Sequence, residues 1–177
     1  MTTPTIYRDV NEKKPYELVD SSRVLYVPKK LLVGDYATPM QCVTAKANTL
    51  MPRFSLERKS ISDYLTSWFG GGHAEQKKIF TAQSMSKKLG YQCLFWYVLD
   101  GYSTDIRARL NRYPWATWNG GLGLSWDEVR RHMNHLRVKG YRVITCAHKL
   151  DAEENVIDIL TDYDRVHGAP ARRGPTE

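Results

Sequence analysis

An acidic residue followed at a distance by an E-x-K triplet is a pattern found in metal-dependent nucleases. Asp35 and the triplet Glu57-Arg58-Lys59 carry these residue types here. In such sites the carboxylates bind a divalent cation that activates water, and the lysine lies beside them on the same strand. Glu57, however, precedes a predicted helix, whereas this chemistry requires the acid and the lysine on a strand beside a metal.

Two further carboxylates, Asp100 and Asp151, end the two runs that are most strand-like in this part of the chain. Carboxyl ends of strands form sites at the edge of an α/β sheet, so these residues are the weak catalytic candidates. Their alternative role is to cap a turn. No nucleophile motif, metal-ligand spacing or phosphate-loop motif accompanies them, so the sequence predicts no metal and no cofactor, and it favours a non-catalytic protein.

The stretch between Tyr102 and Trp126 interleaves aromatic and basic residues in the manner of proteins that bind single strands. Its tryptophans would stack on bases while its arginines hold phosphates. Two other interpretations stay open: tryptophans that fill the edge of the core, and a hot spot for a protein partner. The residues concerned are Arg107, Arg109, Arg112, Trp115 and Trp118.

The elements that position these residues are marked by caps and periodicity. Ser60 and Asp63 predict the start of a helix that ends before three glycines, and a second helix is predicted over about 74–89. Ser125 and Glu128 form a second capping-box spacing, which predicts a helix over 126–139 that ends at Gly140. Alternation predicts a strand over 142–150, a turn over 151–155 and a returning strand over 156–163.

The segment 119–164, a helix with a polar, arginine-bearing face followed by a predicted hairpin, resembles the recognition helix and wing of a winged-helix domain. The resemblance covers about a quarter of the chain and implies binding in the DNA major groove. It assigns the groove contacts to four helix residues, the backbone contacts to two that follow, and a wing contact to one lysine. These are Arg130, Arg131, Asn134 and Arg137, then Lys139 and Arg142, then Lys149.

The predicted fold is therefore α+β, with a small sheet, about four helices and a C-terminal helix followed by a β-hairpin. An internal echo supports an alternative, because Gly90-Tyr91 and Gly140-Tyr141 each join a helix to a strand. Two repeated helix–strand units would make an α/β sandwich. In either fold we expect a flexible arm over 1–22, one globular domain over 23–166 and a disordered tail over 167–177.

The composition of the chain indicates which kinds of partner it would attract. The chain has 177 residues and a net charge of +7, which favours polyanions. Three scattered cysteines, no apolar run long enough for a bilayer and no secretory signal predict a cytoplasmic protein. The first hypothesis is a nucleic-acid-binding protein, with duplex DNA favoured. The alternatives are an interaction factor or inhibitor that binds an acidic protein, and an enzyme acting on nucleotides or nucleic acid.

Overall fold

The structure, a computed structural model, describes residues 3–13, 15, 23–46, 48–70, 73–101, 110 and 123–168. The predicted aromatic and basic contacts Arg107, Arg109, Arg112, Trp115 and Trp118 lie outside the described residues, as does most of the predicted tail. Among the described residues, no helix is long and apolar enough to cross a membrane.

Eight described strands form one mixed sheet in the order β4-β5-β2-β1-β3-β6-β7-β8. The sheet is larger than the sequence predicts, because β1 lies within the predicted arm. The last three strands, β6, β7 and β8, are parallel neighbours. The strands are β1 (Thr5–Asp9), β2 (Leu25–Leu31), β3 (Tyr36–Ala37), β4 (Cys42–Lys46), β5 (Thr49–Pro52), β6 (Phe54–Ser60), β7 (Leu94–Asp100) and β8 (Val143–Thr145).

Helices cover both faces of this sheet. The described helices are α1 (Ile61–Phe69), α2 (Ala74–Leu89), α3 (Trp126–Val138) and α4 (Lys149–His167). One core cluster joins α1, α2 and α3 to one face of β7 through residues such as Tyr97. A second joins α4 to the opposite face through Phe54 and Val98. Because successive side chains of a strand point to opposite faces of the sheet, alternate residues of each strand pack into the two core clusters.

Two helix–strand units lie side by side in the sheet. α2 ends at Gly90, with φ +69°, and leads to β7; α3 leads through Gly140, with φ +88°, to β8. Both glycines adopt left-handed backbone that other residues adopt only with strain, which explains the repeated Gly-Tyr pairs. The echo in the sequence therefore corresponds to a repeated local structure within a mixed α/β fold.

The predicted β-hairpin at the C-terminus is wrong. β8 has three residues, and the segments predicted as a turn over 151–155 and a strand over 156–163 both belong to α4. Ala152, Val156 and Leu160 recur every four residues and are fully buried, so the apolar pattern is helical. The polar run before them forms the first turns of the helix instead of a loop. Of the winged-helix pattern, the capped helix α3 is present and the wing is not.

Candidate functional site

Glu57 and Lys59 lie two positions apart on β6, so both side chains leave the same face of the strand. That face packs against α2. Glu57 is 3% exposed, and the side chain of Lys59 is 12% exposed. Glu57 does precede a helix, as predicted, but it also lies on a strand, because β6 continues to Ser60, the residue that caps α1. The strand geometry required by an E-x-K site is therefore present.

Asp35 reaches this face from the connection between β2 and β3. Gly34 precedes it with φ +75°, and a Cβ at Gly34 would lie 2.2 Å from Ser55 Oγ, so only glycine allows the two segments to approach this closely. The backbone N–H of Arg58 donates to Asp35 Oδ2 at 2.8 Å. This bond fixes the carboxylate of Asp35 against the middle of β6.

α2 adds a glutamate and a lysine. Lys59 Nζ donates to Glu75 Oε1 at 2.7 Å, and the Tyr97 hydroxyl donates to Glu75 Oε2 at 2.7 Å. Lys78 Nζ donates to Glu57 Oε1 and lies 3.8 Å from Glu75 Oε1. We call Asp35, Glu57, Lys59, Glu75 and Lys78 the carboxylate–lysine cluster. Its most exposed side chain in these ion pairs is that of Lys78, at 35%.

Burial and mutual repulsion shape the protonation of the three acids. Burial, followed by the charge of Glu57, raises the pKa of Asp35 well above its ordinary value. Burial also raises the pKa of Glu57, with a further increase from Glu75 that Lys78 opposes. The pKa of Glu75 falls below its ordinary value, because the attraction of Lys78 and Lys59 outweighs the effect of burial. Two lysines thus favour the charged form of Glu75, whereas burial and neighbouring carboxylates favour the neutral forms of Asp35 and Glu57, against the opposing charge of Lys78.

One atom of this cluster is without a protein partner. Glu57 Oε2 is buried and has no hydrogen-bond partner among the described residues. Buried polar atoms are nearly always bonded, and those that are not call for a specific explanation, such as a bound ion. Asp35 and Glu57 have the oxygen ligands that Mg²⁺ prefers. The described residues contain no group of three or more His, Cys, Asp or Glu side chains able to hold a metal together.

The predicted catalytic pair Asp100 and Asp151 have structural partners. Asp100 Oδ2 pairs with Arg58 Nη2 at 2.6 Å, on the face of the sheet opposite to Glu57. Asp151 does not end a strand; it lies in the first turn of α4 and accepts the His148 N–H at 3.3 Å. Burial, and then the charges of Asp151 and Asp100, raise the pKa of the Cys146 thiol to about 11, so both carboxylates lie near this cysteine.

The predicted DNA contacts on α3 are exposed. Arg130, Arg131, Asn134 and Arg137 all lie on the solvent side of the helix, and Arg130 pairs with Asp127 at 3.0 Å. Lys139 caps the helix, and Arg142 lies over the ring of Trp96 at 4.7 Å. Lys149, assigned to a wing, is instead the first residue of α4 and lies 3.8 Å from Glu153.

His132, on α3, lies among aromatic rings at the edge of the core. Its Nδ1 is 3.0 Å from the Tyr64 hydroxyl, and its ring centroid is 4.4 Å from that of Trp68. Burial, followed by the charges of His135 and Lys139, lowers its pKa to about 4. The side chain is therefore neutral at pH 7 and has a packing role.

Glu75 and Lys78 were missed by reasoning from the sequence. Their partners lie 16 to 21 positions away, on β6, so no local spacing links them. The available signal was their position: both fall in the first two turns of α2, which is the next helix after α1, and α1 directly follows the strand that bears the E-x-K triplet.

Comparisons with known proteins support the fold alone. No family model matches the chain, and no curated protein sequence matches it. Among solved structures, the chain is similar to XPF from Aeropyrum pernix, with a TM-score of 0.55 and 19% identity over 91% of this chain and 67% of that one. It is also similar to XPF from Aeropyrum pernix in complex with DNA, with a TM-score of 0.55 and 20% identity over 96% of this chain and 70% of that one. At this identity the likeness establishes a shared fold.

Proposed function

We propose that this protein is a metal-dependent enzyme that hydrolyses phosphodiester bonds in nucleic acid at the carboxylate–lysine cluster. The observation that carries the proposal is the unpartnered buried oxygen Glu57 Oε2, in a site where Asp35 is held nearby and Lys59 lies on the same strand face. Two acids and a lysine in this arrangement match the E-x-K pattern in strand geometry as well as in sequence.

The residues fit a bound Mg²⁺. This ion is commonly held by one or two carboxylates together with water and substrate phosphates, and does not require a cage built by the protein alone. Asp35 and Glu57 would supply those carboxylates. When bound, the ion would polarise a phosphoryl oxygen and lower the pKa of an attacking water.

The lysines have separable roles in this proposal. Lys59 would present its charge to the oxygens of the scissile phosphate, where negative charge accumulates during displacement. Glu75 would hold Lys59 in position, since it accepts from Lys59 at 2.7 Å and is itself fixed by Tyr97. Lys78, the most exposed of the ion-paired members, lies where a substrate would approach Glu57.

Nucleic acid is the favoured substrate for two reasons. The chain carries a net charge of +7, which attracts phosphate backbones through counterion release. One of the structures that share its fold is XPF from Aeropyrum pernix in complex with DNA. The same two observations favour a second candidate, a DNA-binding protein that does not cleave, in which the exposed arginines of α3 make the contacts.

Cleavage of labelled DNA in Mg²⁺, against the same reaction in a chelator, tests the proposal. We expect Asp35→Asn and Glu57→Gln each to reduce cleavage at least a hundredfold and to abolish the stabilisation of the fold by Mg²⁺. Asp162→Asn is the matched control, because it removes an equal charge from an exposed position on α4 and should leave both unchanged. DNA binding without metal-dependent cleavage by the wild-type protein would favour the second candidate.

The pH dependence provides a second readout. Asp35 and Glu57 must be ionised to bind a cation, and both have a raised pKa. Metal binding should therefore be complete above these raised values and be lost as the pH falls through them. For folding the sign is opposite: a buried acid with a raised pKa favours the folded state at low pH, and this contribution is lost as the pH rises. Asp35→Asn should thus raise the melting temperature at pH 7, by about 2–4 °C if the gain is about 1 kcal/mol.

A further inference from the structure

A groove of about 460 Å³ runs between α3 and the last strand of the sheet, apart from the carboxylate–lysine cluster. Its walls combine one face of the helix with the edge of β8, and no residue of the cluster lines it. The lining residues are Trp126, Arg130, Met133, Asn134 and Arg137 of α3, and residues 142–145.

Three guanidinium groups line this arginine groove. Arg130 and Arg137 are seven residues apart on α3, which separates their Cα atoms by about 10 Å along the helix axis. That distance corresponds to about three base-pair steps measured along the axis of a duplex. Asn134 lies between them on the same face and offers an amide donor. Arg142 enters from β8, where the ring of Trp96, 4.7 Å away, positions its guanidinium.

An acidic side chain beside the groove opposes this charge. Asp127 pairs with Arg130 at 3.0 Å, and the two side chains are 72% and 63% exposed. An ion pair this exposed contributes little free energy, so a phosphate can replace Asp127 as the partner of Arg130 at small cost. The groove therefore keeps a net positive charge that an anionic partner can neutralise.

The edge of the sheet adds backbone donors. The carbonyl of Arg142 and the N–H of Cys146, the residues on either side of β8, bond to β7. The alternating residues Val143 and Thr145, which line the groove, therefore direct their N–H groups away from β7. Backbone N–H groups are regular phosphate ligands in protein–DNA contacts.

We propose that the arginine groove binds the sugar-phosphate backbone of nucleic acid and so holds a substrate segment away from the cutting site. Arg130, Arg137 and Arg142 contact phosphates, and the N–H groups of β8 complete the contact. The proposal rests on the proposed function, for which nucleic acid is the substrate. It differs from recognition in the major groove, because backbone contacts position a strand without reading its sequence.

Fluorescence anisotropy of labelled duplex DNA in a chelator, across a salt series, isolates binding from cleavage. The groove variant is Arg130→Gln/Arg137→Gln, and the matched control is Lys30→Gln/Arg165→Gln, on β2 and α4. Each pair removes two exposed positive charges and one ion pair between residues three apart, since Arg165 binds Asp162 at 3.2 Å as Arg130 binds Asp127. We expect the groove variant to weaken binding about tenfold or more and to reduce the slope of log affinity against log salt by about 2.

Either of two results would overturn the proposal for the groove. An equal loss of DNA affinity in both variants would indicate an effect of net charge alone. Unchanged DNA affinity in the groove variant would show that these arginines do not bind DNA, and altered self-association beside it would make the groove a contact between copies. The experiment also separates the two proposals. Metal-dependent cleavage by a protein whose groove variant binds normally removes the groove alone. If the wild-type protein binds DNA but never cleaves it, and the groove variant loses that binding, the groove is supported and the enzymatic function is rejected.

Discussion

The two helix–strand units of this protein share a backbone plan and differ in where they put charge. α2 and α3 each end in a left-handed glycine and lead to β7 and β8, which are parallel neighbours. α2 buries Glu75 against the sheet, where it meets Lys59. α3 buries Val129 and Leu136 instead, and its arginines face the solvent.

This difference shows that two helix–strand units with the same backbone arrangement can have different roles. Burying a charge costs several kcal/mol unless partners compensate, and removing one partner of a buried pair is more harmful than never having the pair. The α2 unit carries that cost at Glu75, whose partner Lys59 lies on β6 beside Glu57, whereas the buried residues of α3 are apolar. Charge is buried where the proposed chemistry is and exposed where the proposed binding is.

The largest effect should come from removing the buried carboxylate of α2. Glu75→Ala leaves Lys59 without its 2.7 Å partner and Tyr97 without an acceptor. We expect the free energy of unfolding to fall by about 3 kcal/mol or more, measured by urea denaturation. Glu75→Gln should recover part of the loss, because the amide oxygen still accepts one of these bonds.

The corresponding change on α3 is Glu128→Gln, which alters the exposed capping box with Ser125. Its cost should be about 1 kcal/mol or less. Losses of similar size in the two units would show that the buried network of α2 is no more important to stability than a surface cap.

Local signals in the sequence were sufficient for the helices near their caps. The two capping-box spacings, at Ser60 and Ser125, predict the starts of α1 and α3, and both bonds are present. They were insufficient for α4. The polar run at 151–155 reads as a turn, and the β-branched residues Val156, Ile157 and Ile159 read as a strand, whereas packing of 152, 156 and 160 against the sheet favours a helix.

For a related reason, only part of the candidate site could be predicted from the sequence. Asp35, Glu57 and Lys59 could be found in the sequence, but the strand that holds Glu57 and Lys59 could not, because its apolar alternation stops after Leu56 and the rest of β6 is polar. Burial of Glu57 depends on Lys78, which is 21 positions away. Contacts at this separation are set by the packing of α2 on β6 and have no local signature.

A smaller effect should come from the one buried titratable group of α3 with a strongly lowered pKa. His132 titrates at about pH 4 in the folded protein, below the ordinary value of 6.5. The folded state therefore disfavours the protonated ring, so stability should fall as the pH drops from 6.5 towards 4. The loss should be on the order of 1 kcal/mol at pH 5, discounted for the solvent-exposed part of the ring.

Urea denaturation of the wild type and of His132→Gln at several pH values measures this contribution. The variant should lose this part of the pH dependence and keep the rest. An unchanged pH profile would mean that the ring is solvated well enough to be protonated in place, and the contrast between a charged interior in α2 and a neutral one in α3 would weaken.

The smallest effect on stability, and the one that most sharpens the comparison, should come from Asp127→Ala. Asp127 is 72% exposed and pairs with Arg130, so its loss should change the free energy of unfolding by less than about 1 kcal/mol, including the favourable position of an acid in the first turn of α3.

In the arginine groove, however, Asp127 competes with phosphate for Arg130. The substitution should therefore tighten DNA binding two- to threefold, an estimate of about 0.5 kcal/mol for releasing an exposed pair. Asp162→Ala, which releases Arg165 on α4 from a similar pair, should leave affinity closer to that of the wild type. An equal gain in DNA affinity in both variants would indicate a response to net charge. The exposed arginines of α3 would then not form a specific binding site.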